Sequence, residues 1–219
     1  MDNPTPMVIA TRNAGKAAEI VDLLRGFPVQ IKSLGDFGPI PAAEESGATF
    51  EENAYRKASL TARVLGLTAL ADDSGLVIEA LNGAPGVHSA RFAGPQATDI
   101  QRCESILAQM QGVADRRAWF ECVVSIAVPT GAALTYTARC EGRIAEAPAG
   151  SNGFGYDPIF YYPPLHRTFA QLTRQEKSRV SHRGKALKEL QNEFAKVLIW
   201  IEQQMPRQEK FICQHLQHE

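Results

Sequence analysis

The run Leu70-Ala71-Asp72-Asp73-Ser74-Gly75-Leu76-Val77-Ile78 sets two adjacent carboxylates, a hydroxyl and a glycine between apolar stretches that each read as buried strand. Carboxylates are costly to desolvate, so a core strand that ends in a pair of them is expected to use the charge. The usual uses are to hold a divalent cation against phosphate oxygens or to activate a water. The plainer alternative is a solvated strand end with a turn, because Asp, Ser and Gly are ordinary turn residues. This segment alone favours neither.

Other parts of the chain could supply partners. Thr11-Arg12-Asn13-Ala14-Gly15-Lys16 joins a predicted strand to a predicted helix. Its small residues allow close backbone approach, and a helix N-terminus offers free N–H groups to an anion. It is not a Walker A loop, since Ala17 follows the lysine, and taken by itself a capped strand-to-helix turn explains it better than a phosphate site. Glu44-Glu45 forms a second acidic pair in a loop, where acid is ordinarily just solvated. Together with Asp72-Asp73 it would supply the hard oxygens that Mg²⁺ prefers, and Lys57 is placed where it could reach that cluster, although a lone helix lysine is more often solvent-exposed. Late in the chain, Phe154-Gly155-Tyr156-Asp157 sets aromatic rings among glycines, and such a ring stacks on a base for about 1–3 kcal/mol. Lys177 and Ser181-His182-Arg183-Gly184 add hydrogen-bond donors just before the last helix, although a lone histidine there is more often structural.

The elements that must position these residues follow from periodicity and caps. Strands are predicted over Met7–Ala10 and Val29–Leu34, with a helix between them to about Leu24. Thr49 with Glu52 suggests a capping box opening a helix to Leu65, and Thr98 with Gln101 suggests another through Met110. Alternating apolar residues from Ala118 to Val128 predict a half-buried strand, turned by Pro129-Thr130-Gly131 into a hairpin with Leu134–Cys140. The last helix is expected to run unbroken from Ser181 or Gly184 to Gln203. Interleaved strands and helices with one hairpin predict an α/β chain with a mixed sheet. The segment 207–219 is polar and is expected to form a weakly ordered tail.

At 219 residues, 44% hydrophobic and with a net charge of -1, the chain has ordinary globular composition and lacks the basic excess of a nucleic-acid coat protein. No apolar run suits a membrane span, and the start has no basic and apolar leader. Cys103, Cys122, Cys140 and Cys213 form no CxxC pair, so a reducing, cytoplasmic location is expected.

In order along the chain, the motifs Thr11 to Lys16, Glu44 to Gly47, Thr49 to Ala54, Ala71 to Leu76, Gly83 to Arg91, Gly153 to Pro158, Glu176 to Ser178 and Ser181 to Gly184 resemble those of the inosine triphosphate pyrophosphatase family. Its members are also called noncanonical purine NTP or dITP/XTP pyrophosphatases, and the bacterial branch is most similar. The resemblance spans Met7 to Gln203; Arg12 departs from the small or variable residue expected there. It implies an elongated mixed sheet flanked by helices, in one two-lobed domain over residues 1–206 with the active-site cleft between the lobes. It further implies Mg²⁺-dependent hydrolysis of ITP, dITP or XTP to the monophosphate and pyrophosphate by a homodimer.

On that resemblance Asp73 is the general base and a metal carboxylate, and Glu44 is the chief metal ligand, with Asp72 and Glu45 second choices. Residues Thr11, Arg12, Asn13, Ala14, Gly15 and Lys16, together with Lys57, Ser74 and Lys177, would bind phosphate or sugar. Phe154, with Gly155, Tyr156 and Asp157 in its turn, would stack on the base, while His182 and Arg183 donate to its position-6 carbonyl. Two rivals remain in view. A nucleotide sensor would have no need for water-activating carboxylates, and a Nudix hydrolase would carry an RExxEE helix that this chain lacks.

Overall fold

A computed structural model describes residues 4–206, so the tail expected over 207–219 lies outside the described residues. The chain alternates β1 (Thr5–Ile9), α1 (Ala14–Leu23), β2 (Val29–Ser33), α2 (Phe50–Leu65), β3 (Thr68–Ile78), α3 (Asp99–Gln109), β4 (Arg117–Ala127) and β5 (Ala133–Ile144). There follow the short strands β6 (Phe160–Tyr162) and β7 (Arg167–Thr168), then α4 (Arg174–Val180), α5 (His182–Asn192) and α6 (Phe194–Gln204). The strands form one mixed sheet in the order β2-β1-β3-β4-β5-β6-β7. β1 is parallel to both its neighbours, and every later pairing is antiparallel. No described helix is long and apolar enough to cross a membrane.

Three sequence expectations are corrected by the packing. First, Asp72-Asp73 does not end a strand: β3 runs unbroken through both residues to Ile78, paired with β4 from Ala69 to Ile78. The chain has no need to turn out to water there, because cations meet both carboxylates in place. Second, β4 is buried on both faces from Cys122 to Ala127 rather than on one. Its second face lies under α2, whose Ala54, Ala58 and Ala62 are fully buried and let the helix lie close to the sheet. Third, the final helix is broken at Glu193, whose N–H turns to the Leu190 carbonyl (3.2 Å) in a tighter i→i−3 turn. The break starts α6 at Phe194, whose ring packs on Phe27 with centroids 4.5 Å apart.

The caps are largely those the sequence predicts. Thr98 and Gln101 form a full capping box on α3. On α2 the Thr49 hydroxyl accepts from the Glu52 N–H, but the Glu52 carboxylate reaches one residue further back, to the Ala48 N–H (2.7 Å).

Two large apolar clusters share the long β3–β4 ribbon. One gathers Leu70, Cys122, Val124 and Ile126 beneath α1, α5 and α6. The other gathers Leu76, Ile78, Phe120 and Phe160 with α3. Between Leu70 and Leu76 the same ribbon carries Asp72, Asp73 and Ser74 instead of apolar side chains. β1 pairs with β3 only as far as Leu70, so from there on β3 has a strand neighbour on one side alone. The loop leaving β1 and the N-terminus of α1 lie beside that open edge, the place where α/β sheets generally take ligands.

Gly75 fixes the far end of this region. A Cβ on Gly75 would lie 2.4 Å from both the Gly86 carbonyl and the Ser89 hydroxyl, which itself accepts from the Leu76 N–H. The Gly86 carbonyl is backbone, and the Ser89 hydroxyl is held by the Gly86 carbonyl and the Leu76 N–H, so the clash has little room to relax. Gly75→Ala is therefore expected to cost about 1–3 kcal/mol of stability, a fall in Tm of about 2–4 °C per kcal/mol for a chain of this size. Thermal unfolding followed by circular dichroism measures it, and an unchanged Tm would contradict the close approach.

Candidate active site

Successive side chains of a strand point to opposite faces, so the adjacent aspartates of β3 serve different surroundings. Asp72 faces α1 and α5. Its Oδ2 accepts from the Lys16 ammonium (3.1 Å), the Arg183 guanidinium (Nε 3.2 Å, Nη2 3.0 Å) and the Ser74 hydroxyl (3.1 Å). Asp73 faces α2, where Lys57 Nζ donates to Oδ1 (2.8 Å) and Asn53 Nδ2 to Oδ2 (3.1 Å).

The two environments drive the carboxyls apart. Burial alone would raise Asp72, but Lys16, Arg183 and Lys57 together outweigh it and hold the group well below the ordinary carboxylate range. At Asp73 burial prevails over Lys57 and Lys16, and Glu45 adds repulsion, so this carboxyl lies above its ordinary value of 3.8. Asp72 is thus a fixed anion and Asp73 the more basic of the two, the property asked of a proton acceptor.

Beneath Asp72 the charges form a closed set. Arg183 is 2% exposed and also binds Glu19 of α1. Glu19 in turn pairs with Lys177 (3.1 Å), and Lys177 with Asp157 (2.6 Å). Burial would raise Glu19, but Arg183 and Lys177 bring it down on balance. Asp157 stays raised, because burial exceeds what Lys177 and the Phe154 N–H return. That same N–H donates to Asp157 Oδ2 (3.0 Å), which folds the Gly153–Asp157 turn over Lys177.

The Phe154 ring lies over Lys177 Nζ at 4.5 Å from its centroid and over the Arg183 guanidinium carbon at 5.9 Å, a cation–π arrangement. It also rests on the first turn of α1, where a Cβ on Gly15 would come within 2.7 Å of the ring. His182 stacks on Phe120 with ring centroids 4.6 Å apart. Burial and the nearby Arg183 and Lys177 push its imidazole well below 6.5, which keeps it neutral. Its Nδ1 is buried with no hydrogen-bond partner among the described residues.

These groups surround a cavity of about 470 Å³. Thr11, Arg12, Asn13 and Lys16 line it, as do Lys57, Asp73, Ser74, Phe154 to Asp157, Lys177, His182 and Arg183. Ala14 and Gly15, expected to bind substrate, are not among the lining residues. They sit in the first turn of α1, where Asn13 caps the helix through the Lys16 N–H (3.0 Å) and Phe154 covers Gly15. Arg12 Nη2 reaches the Ile40 carbonyl (3.4 Å), so this departure from the family pattern ties the acidic loop to the loop between β1 and α1.

Glu44 is the larger displacement. It is exposed and does not line the cavity, whereas Glu45 does. Glu45 is exposed too, but Lys57 (3.3 Å) and Arg91 (3.6 Å) turn it toward the cavity. Arg183 lines the cavity as well, with its donors on Asp72, Glu19 and Ser74.

The donor chemistry suits a small hard cation. Lys57 Nζ lies between Asp73 and Glu45, so carboxylate oxygens from two elements already converge on one positive charge. Among the described residues no three His, Cys, Asp or Glu side chains come together.

Three site residues escaped the sequence reading. Glu19 carried a signal: with Lys16, Ile20 and Leu23 it falls on the inward stripe of α1, an unusual place for an unpaired acid. Arg102 and Asp99 of α3 also line the cavity, and nothing local in the sequence separates them from a solvated helix start.

The chain matches the Ham1 family over residues 7–193. It is 63% identical to a dITP/XTP pyrophosphatase of Syntrophobacter fumaroxidans, over 89% of this chain and 84% of that one. It is 49% identical to a dITP/XTP pyrophosphatase of Desulfotalea psychrophila, over 97% and 96% of the two chains. Among solved structures, a HAM1 protein from Coxiella burnetii superposes with a TM-score of 0.82 at 45% identity, covering 88% of this chain and 99% of that one. The Ham1 protein of Staphylococcus aureus gives 0.80 at 40% identity, covering 88% and 100%. A seven-stranded mixed sheet, a β3 edge bearing Asp72 and Asp73, and these relatives together make the chain a member of the Ham1 family.

Proposed function

We propose that this protein hydrolyses noncanonical purine nucleoside triphosphates (ITP, dITP and XTP) to the monophosphate and pyrophosphate. The observation that carries the reading is the division of labour on β3: Asp73, raised and facing the cavity, stands one residue from a fixed anion that anchors Lys16. Relatives named dITP/XTP pyrophosphatase support the substrate class. Magnesium, a homodimer and a cytoplasmic location belong to the same reading, as does a two-lobed domain over residues 1–206.

The chain's own residues divide the work. Lys16 and Lys57, with Thr11, Arg12 and Asn13 of the loop before α1, neutralise and orient the triphosphate. Asp73 takes the proton from the water whose oxygen attacks the α-phosphorus, and the α–β anhydride bond breaks as pyrophosphate leaves. Asp73 and Glu45, rather than Glu44, would hold the cation, which when bound screens the phosphate charge and favours ionisation of water.

Phe154 is the base platform, with Lys177 beneath it. His182 lines the cavity, and a neutral imidazole still carries one N–H, so it is assigned the donor to the position-6 carbonyl. Arg183 supports that contact from below while holding Asp72 and Glu19. Adenine presents an amino group at position 6, and a site built for such a hydrogen bond can discriminate by about 10⁴-fold.

Asp73→Asn is expected to lower pyrophosphate release from ITP by about 10³-fold, within the range general-base loss produces, with Tm retained; near-normal turnover would remove Asp73 from its role. The pH profile offers a separate check. Asp73 acts ionised, so kcat/KM rises with pH along a limb above 3.8. Lys57→Met removes a cation that lowers Asp73 and should move that limb upward, and an unmoved limb would detach it from Asp73. For base reading, His182→Ala should cut the ITP/ATP ratio of kcat/KM by about tenfold, the value of one lost hydrogen bond. An unchanged ratio would exclude His182.

A further inference from the structure

The turn that carries Phe154 is gripped from two sides. Its inner grip is the Asp157–Lys177 pair beneath the ring. The outer grip comes from α3. Gly155 N–H donates to Asp99 Oδ2 at 2.6 Å, and Cys103 Sγ, one helical turn along, lies 3.4 Å from the Gly155 carbonyl oxygen. Both backbone groups of Gly155 are thus held by side chains of one helix face.

The other oxygen of Asp99 binds the Arg102 guanidinium, whose Nη1 donates to the carbonyls of Ala90 and Ala97. A third segment, the chain between β3 and α3, is thereby tied to the same junction. Tyr156 adds to the tie, its hydroxyl donating to the Ser89 carbonyl at 2.8 Å.

An acid in the first turn of a helix commonly serves the helix itself, through its free N–H groups and its dipole. Here the start of α3 is already closed by the reciprocal Thr98–Gln101 box, with Thr98 N–H on Gln101 Oε1 (2.8 Å) and Gln101 N–H on Thr98 Oγ1 (3.2 Å). The Asp99 carboxylate is left to bind another segment. It does so with a charge-assisted hydrogen bond, stronger and shorter than one between neutral groups.

We propose that Asp99 is a positioning residue for nucleotide binding: held by Arg102, it fixes the Gly155 N–H and thereby sets the Phe154 ring over Lys177 and Arg183. The proposal rests on Phe154 being the base platform. A platform fixed before the nucleotide arrives spares the cost of ordering it on binding, so the benefit falls on KM rather than on the chemical step.

The test is steady-state kinetics with ITP on single and double variants, with Tm recorded for each. Phe154→Ala alone should raise KM, and an unchanged KM would overturn the platform itself and with it this route. Asp99→Ala should raise KM by about tenfold, the value of one charge-assisted hydrogen bond, with kcat within about twofold. Asp99→Asn retains an acceptor for the Gly155 N–H and should restore KM. Asp99→Ser, which suits a helix start but is too short to reach Gly155, should behave as Asp99→Ala and serves if that variant folds poorly. In the Phe154→Ala background Asp99→Ala should add nothing to KM, because no ring remains to be placed. An additive double variant, an unchanged KM in Asp99→Ala, or a loss that follows Tm alone would overturn the proposal.

Discussion

The guanidinium of Arg183 is buried at the point where β3, α1 and α5 meet, and the rest of the site is arranged around it. It binds Asp72 on the strand and Glu19 on the first helix, and through Glu19 it is joined to Lys177 and Asp157. Lys16, Lys177 and Arg183 thus face Glu19, Asp72 and Asp157, three cations against three anions. Buried charge persists only when it is paired in this way. The set therefore fixes at once where the phosphate-facing loop, the glycine-rich turn and the start of the last helical segment stand. Removing one member would leave its partner charged and dry, a loss of about 3–5 kcal/mol for a buried pair.

On this base the two-residue period of a strand separates two tasks that adjacent residues could not share on one face. Asp72 belongs to the fixed lattice and stays ionised. Asp73, on the other face, meets Lys57, Asn53 and Glu45 and keeps a higher affinity for a proton. Asp72 and Asp73 thus sit on a rigid central strand, while the other groups that line the cavity come from the helices and loops around its open edge.

Much of this was legible in the sequence, for reasons that can be named. Caps and periodicity marked Thr98–Gln101, the β4–β5 hairpin and the apolar face of α5 because those signals are local. The continuity of β3 was not legible, since Asp72-Asp73 resembles a strand end unless the cations that neutralise it are known. Arg183 lies 111 residues from Asp72, and no local pattern reports that contact. The same limit applies to Glu44 and Glu45: adjacent acids look alike in sequence, and only the positions of Lys57 and Arg91 decide which of them lines the cavity. Burial of the second face of β4 depended on a helix of small residues laid across it, a tertiary fact that alternation along one strand does not encode.

The unpaired flank of β3 bears also on how the protein avoids its own kind. An exposed strand edge is a template on which another chain can add, and proteins commonly blunt such edges with inward charges or covering loops. From Ala71 to Gly75 the edge that must stay open to a ligand carries Asp72 and Asp73, and the 40–45 loop, tied down by Arg12, Lys57 and Arg91, lines the space in front of it. The residues that suit this stretch to handling triphosphates are also those that make it a poor seed for aggregation.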